Sequence, residues 1–184
     1  MAELSDKKVA VLATNGVEEA ELKQPVQALR EAGATVRVFS IDGGSVQMMK
    51  HDEKSDTVQS DGRISEARPD DFDAVLLPGG ALNADKLRMD EDARNFVRRI
   101  DNQGKPIAAI CHAPWLLISA GLAGNRTLTT YYTLQDDVRN AGGLWLDREV
   151  NVDGNLITSR FPGDIPAFNQ KIIETLSRVP ASPR

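Results

Sequence analysis

One stretch of this sequence, PIAAICHAPWLLISAG over residues 106–121, carries the only cysteine, Cys111, with one of the two histidines, His112, directly after it. Thiol and imidazole form a recurring activation pair, in which the ring takes the sulfur's proton and leaves a strong nucleophile. Small and apolar residues lead into Cys111 as a buried strand would, and an apolar helical pattern follows. A sharp strand-to-helix turn of this kind, a nucleophile elbow, lifts a side chain clear of a sheet. Free N–H groups and the positive end of the helix dipole then favour thiolate over thiol, below the reference pKa of about 8.5. The competing explanation is an inert buried cysteine, beside a histidine that only caps or packs the helix start. Adjacency in sequence does not make two side chains face each other.

Two other loops carry candidate groups. In TNGVEEAEL, residues 14–22, Glu18 stands where a strand passes into a helix. A carboxyl beside a thiol in an apolar site holds its proton to higher pH and can donate it in a hydrogen bond to the thiolate. Glu19 and Glu21 are expected in the plainer role of complementing the helix dipole, although no local feature selects Glu18 over them. The segment LLPGGALNAD ends a strand on Gly79 and Gly80, whose backbone N–H groups could form an oxyanion hole. A tight turn needing positive φ explains the same dipeptide. No Gly-Lys-Ser/Thr follows, which excludes a phosphate loop. His51, in a charged loop, is expected to be solvated. With one cysteine, two histidines and no ligand pair at metal spacing, neither a metal site nor a cofactor is expected.

These groups need elements to position them. KKVAVLAT (7–14) reads as a buried strand, and a helix follows in which Pro25 either opens the main part or introduces a kink. Gly33 ends that helix, and ATVRVFSI (34–41) is the next strand. Residues 42–66 read as a hairpin or small excursion. DFDAVLLPGG (71–80) returns to a buried strand, and a helix is predicted over 88–103 with Phe96, Val97 and Ile100 inward. KPIAAIC is a strand, HAPWLLISAGL a helix stopped by Gly121, RTLTTY strand-like and TLQDDVRNAGG a short helix. A hairpin is expected around Asp153-Gly154, then an amphipathic helix, IPAFNQKIIETLSRV. The alternation predicts an α/β fold, a mostly parallel sheet with helices on both faces. Ligands in such folds collect at the carboxyl ends of the strands, where TNGVEE, PGG and CHA all lie.

The 184 residues fit one domain, 1–184, with residues 5–6 and 180–184 as flanking or frayed ends. A net charge of -5 argues against nucleic acid or an anionic membrane as partner. No apolar run approaches the roughly 18 residues of a membrane span. The polar start, MAELSDKK, does not read as a secretory signal, and a lone cysteine is compatible with a reducing cytoplasm.

Taken together, GVEEAEL, FDAVLLPGGALNADKLRMDE, GKPIAAICHAPWLLISAG, LTTYYTLQDDVRNAGG and ITSRFPGDIPAFNQ resemble the PfpI family. It lies within the DJ-one/PfpI superfamily of class I glutamine amidotransferase-like proteins, and the resemblance spans nearly the whole chain. It implies a flavodoxin-like three-layer sandwich, assembled as a homodimer or a larger ring of dimers. It also implies that Cys111 is the nucleophile, His112 its following histidine, Glu18 the carboxyl bonded to the nucleophile and Gly80 an oxyanion donor. Tyr131 matches a pocket tyrosine. Arg160, in SRFPGD, matches a salt-link position near the site. Asp85 falls near the acid that peptidase members supply from a neighbouring subunit, in a segment one residue longer here and with Asp in place of Glu.

Three functions are consistent with these residues. The first is a cytoplasmic cysteine hydrolase acting on a small carbonyl compound or a peptide, of peptidase, glyoxalase or deglycase type. The second is a redox sensor whose cysteine is oxidised rather than catalytic. The third is a catalytically silent, chaperone-like protein. A narrow pocket would favour small aldehydes.

Overall fold

A computed structural model describes residues 3–180. The expected frayed end, 180–184, lies outside the described residues except for Pro180. The segment before the first strand is anchored: Leu4 is fully buried, and its N–H donates to the Ala32 carbonyl at 2.8 Å.

The strands are β1 (Lys8–Leu12), β2 (Val17–Glu18), β3 (Thr35–Ser40), β4 (Ser45–Lys50), β5 (Glu53–Gln59), β6 (Gly62–Arg63), β7 (Ala74–Leu77), β8 (Ile107–Ile110), β9 (Thr127–Leu128), β10 (Leu144–Trp145), β11 (Val150–Asp153) and β12 (Leu156–Ser159). The helices are α1 (Glu19–Glu31), α2 (Ala81–Met89), α3 (Glu91–Asn102), α4 (Pro114–Ser119), α5 (Gln135–Asn140) and α6 (Ile165–Arg178). Seven strands form the main sheet in the order β11-β12-β8-β7-β1-β3-β6. Only β11 runs antiparallel to its neighbour, closing the predicted hairpin onto β12.

Period-two alternation divides the core. Val9 and Val11 face one side of the sheet with Leu22, Leu29, Phe168 and Ile172 of α1 and α6. Ala10 and Leu12 face the other, with Leu87, Phe96, Ile100, Leu117 and Val138 of α2 to α5. Strands buried on both faces read as continuous apolar runs, which is why they were legible. The result is the expected flavodoxin-like three-layer α/β/α sandwich.

One local expectation changes, and two that were open take a definite form. Helix α1 begins at Glu19, so Pro25 lies inside it rather than at its start. The single helix over 88–103 is two, α2 and α3, divided at Asp90, whose side chain caps α3 by accepting the Ala93 N–H at 2.7 Å. Residues 42–66 contain the expected hairpin, β4–β5, and β4 pairs in parallel with β2, beside the end of β1.

Chain order sets the geometry of the sheet. From β1 the chain passes to β3 on one side and later to β7 on the other. The carboxyl ends of β1, β7 and β8 therefore meet at a topological switch point, where open α/β sheets bind ligands.

Candidate active site

Strand β8 runs straight into Cys111, whose φ of 65° is one of three positive values among described non-glycine residues. A left-handed backbone costs such a residue about 1–2 kcal/mol and persists only where neighbours over-determine it. They do so here. The Cys111 N–H donates to the Ser159 carbonyl at 3.0 Å, the Tyr131 N–H to the Cys111 carbonyl at 2.9 Å, and the Ala113 N–H to the Ile110 carbonyl at 3.1 Å. Helix α4 starts only at Pro114 and has six residues, so a long helix dipole does not supply the field at the sulfur. Instead the backbone N–H groups of Gly80 and His112 point at it and favour the thiolate. Burial and, once it is ionised, Glu21 oppose them and push the thiol upward, which corrects the expected low pKa.

His112 does face the sulfur: its Nδ1 lies 3.1 Å from the Cys111 Sγ. The ring stacks on Tyr131, with centroids 4.7 Å apart, and meets Trp115 edge-on at 5.3 Å. Its Nε2 lies 3.5 Å from the Thr133 hydroxyl. Burial lowers the imidazole pKa, so the ring is neutral at pH 7 and can accept a proton.

The acid at the thiol is Glu21, not Glu18. Glu21 is fully buried on the inward face of α1, and its oxygens face Cys111 and the Gly79 N–H without a well-aligned hydrogen-bond partner among the described residues. Burial, aided by the charge of Glu18, raises it to about 8, so it carries its proton at neutral pH. Interactions with Cys111 and the Gly79 N–H act in the opposite direction. The physical reason for the correction is helical phase. Glu18 precedes α1, whereas Glu21 shares the buried stripe of Leu22, Pro25 and Leu29. Glu18 instead accepts the His51 N–H at 3.0 Å and lines the cleft mouth, tying the β4–β5 turn to the site.

The Pro78-Gly79-Gly80 turn fits against this group because it has no side chains to place. A Cβ on Gly79 would collide with the Glu21 Oε1 and lie 2.7 Å from both the Cys111 Cβ and the Ile110 carbonyl. Gly80 has a φ of 91°, so the tight-turn and close-approach explanations both apply to it. Asn83, fully buried on α2, fixes the turn: its Oδ1 accepts the Thr14 N–H at 2.7 Å, and its Nδ2 donates to the Pro78 and Gly79 carbonyls at 3.0 Å. Sequence reasoning passed over Asn83.

The cleft above the sulfur has a volume of about 790 Å³, is open to solvent, and has Glu18, His51, Leu82, Tyr131 and Phe161 among its lining residues. Tyr131 is therefore at the site, as expected. Arg160 is not among its lining residues. Asp164 holds the guanidinium at 2.9 Å and Asp147 at 2.7 Å, fixing the Phe161–Gly163 wall. Asp85 is exposed on α2 and also lies outside the lining. His51 is exposed, as expected, yet it borders the cleft with Asp52. Among the described residues no cluster of three or more His, Cys, Asp or Glu is placed to hold a metal, and no helix is long and apolar enough to cross a membrane.

The arrangement can therefore deprotonate a thiol, present the sulfur to a small molecule and meet a developing oxyanion with two N–H groups. The model of the DJ-1/PfpI family matches residues 7–175. The Protein/nucleic acid deglycase 2 of Escherichia coli is 43% identical over 171 residues, covering 92% of this chain and 98% of its own. Deglycase TK1284 of Thermococcus kodakarensis is 41% identical over 169 residues, 92% of this chain and 99% of its own. Drosophila melanogaster DJ-1beta superposes with a TM-score of 0.85 at 33% identity, covering 93% of this chain and 90% of its own.

Proposed function

The chain belongs to the DJ-1/PfpI family, and from that premise we propose that it is a cysteine-dependent enzyme acting on small carbonyl compounds, of deglycase or glyoxalase type. The observation that carries this reading is the open cleft with Cys111 at its base, a neutral imidazole nitrogen 3.1 Å from the sulfur and a protonated carboxyl against it. In the first step His112 Nδ1 takes the thiol proton while the sulfur bonds to the carbonyl carbon. The π-electron pair moves to oxygen, where the N–H groups of Gly80 and His112 receive it. Protonation by His112 gives a hemithioacetal.

With methylglyoxal, His112 can move a proton between the two substrate carbons, turning the hemithioacetal into a thioester. Water then releases lactate and the free thiol, so the net reaction is methylglyoxal plus water to lactate. Glu21 enters the reaction with its proton at pH 7 and can donate it in a hydrogen bond to the sulfur. The relatives reported above are named deglycases, and on that ground the peptidase-type reading stands second. The comparisons offer no separate support for a redox sensor or a chaperone-like role. The cytoplasm and an assembly of two or more copies, with Asp85 exposed toward a neighbour, complete the proposal.

Lactate formation from methylglyoxal by purified protein tests it directly. Wild type should turn over, and Cys111→Ala should lose at least about a hundredfold in kcat/KM. Equal rates in the two proteins would remove this thiol from the reaction.

A further inference from the structure

We infer that the cleft selects its substrates by charge through Glu18, admitting uncharged or cationic carbonyl compounds and turning away α-oxo carboxylates of similar size. This inference names a substrate class for the proposed site and rests on that reading. The polar side chains lining the cleft are Glu18, Glu21, Asp52, His51, His112 and Tyr131, with no lysine or arginine among them. Of the two outer acids, Asp52 is exposed at the lip, whereas Glu18 is only 9% exposed and receives a single backbone N–H, from His51. Its charge reaches the sulfur's neighbour, because it helps to raise Glu21.

Four cations on the adjoining elements are engaged elsewhere, and Lys54, paired across the hairpin with Met49, is exposed and lies outside the lining. Lys50 lies 4.0 Å from Glu19, and Lys86 donates to the Asn15 carbonyl. Arg88 bonds the Ser119 hydroxyl and lies over Trp115, and Arg160 is held by Asp164 and Asp147. The Gly80 and His112 N–H groups serve the sulfur and the oxygen formed by its addition, and no lysine or arginine lines the cleft to pair with a second anionic group. In a half-enclosed cleft a like charge is screened far less than in water, and the walls focus the field. An aldehyde or ketone without charge meets no such barrier. A carbonyl adduct carried on an amine is attracted.

Two alkylating reagents of nearly equal size, neutral iodoacetamide and anionic iodoacetate, test this without requiring turnover. The rate ratio of the two at Cys111 of the intact chain is compared with the ratio for the same protein unfolded in urea, which cancels intrinsic reactivity. At low ionic strength the folded ratio should exceed the unfolded one by about tenfold, and it should narrow with added salt. Glu18→Gln keeps an acceptor for the His51 N–H and should lower the ratio at least threefold, with Asp52→Asn lowering it less. Equal folded and unfolded ratios would overturn the inference even if the Glu18 variant did not fold. So would a raised ratio that Glu18→Gln leaves unchanged. The two claims fail separately: charge selection without methylglyoxal turnover removes the enzymatic reading alone, and turnover without charge selection removes this inference alone.

Discussion

Glu21 shows what a single side chain costs and provides. Its pKa rises from 4.5 to about 8 on folding, so the folded state holds a proton that the unfolded chain releases. The stabilising contribution of that proton is complete below pH 4.5 and is lost as pH rises through about 8. Glu21→Gln builds the neutral form in permanently. Its melting temperature should fall less than that of wild type between pH 5 and pH 9, as thermal unfolding at several pH values will show. Identical slopes would mean that the carboxyl is already ionised. Gly79→Ala makes a second prediction. The added methyl has no room between Glu21, Cys111 and the Ile110 carbonyl, so it should cost about 1–3 kcal/mol and displace the thiol. Denaturant unfolding and methylglyoxal turnover should both report the loss. Glu21 was legible in principle, since its spacing of four and eight residues from Pro25 and Leu29 puts an acid on the apolar stripe. The family resemblance pointed to Glu18 because it stands at the loop, and position along the chain outweighed helical phase.

At the scale of elements, the site depends on how strand ends are tied together. Strands β1, β7 and β8 were readable because double-sided burial leaves uninterrupted apolar runs. Helix α2 was not, because only Asn83, Ala84 and Leu87 are buried along it and one of the three is polar. That polar residue is the tie between the ends of β1 and β7. Asn83→Leu takes the partner from the Thr14 N–H and the Pro78 carbonyl, while the Gly79 carbonyl keeps the Glu18 N–H, and should cost about 2–4 kcal/mol. Asn83→Asp keeps the acceptor for Thr14 but loses both donors, so it should lose thiol reactivity while retaining more of the stability. Urea denaturation and alkylation rates separate the two effects. The break at Asp90 did carry a signal, an N-cap aspartate before Glu91 and Asp92, which a continuous helix over 88–103 overlooks.

For the whole molecule, topology converts a linear sequence into a site. Residues 14–21, 78–83 and 111–112 are far apart in the chain, and the crossing from β3 to β7 over β1 brings them together. Alternating strands and helices announced that architecture, and with it the position of the cleft. What sequence alone could not give was side-chain direction: that His112 turns its Nδ1 to the sulfur, or that Arg160 is spent on Asp164 and Asp147. Asp85 stands outside the cleft of its own chain, so any role at the histidine requires a second copy. Light scattering should then give a mass of two or more chains, and Asp85→Asn should lower turnover. A monomer with full activity would dismiss that role.

The pH dependence of Cys111 alkylation by iodoacetamide, in wild type and in Glu21→Leu, reaches the centre of the account. A neutral acid donating to the sulfur stabilises the thiolate, so its removal should raise the apparent thiol pKa and slow alkylation at pH 7 about tenfold or more. Faster alkylation in the variant would reveal a charged carboxylate repelling the thiolate, and would contradict the chemistry derived from this site.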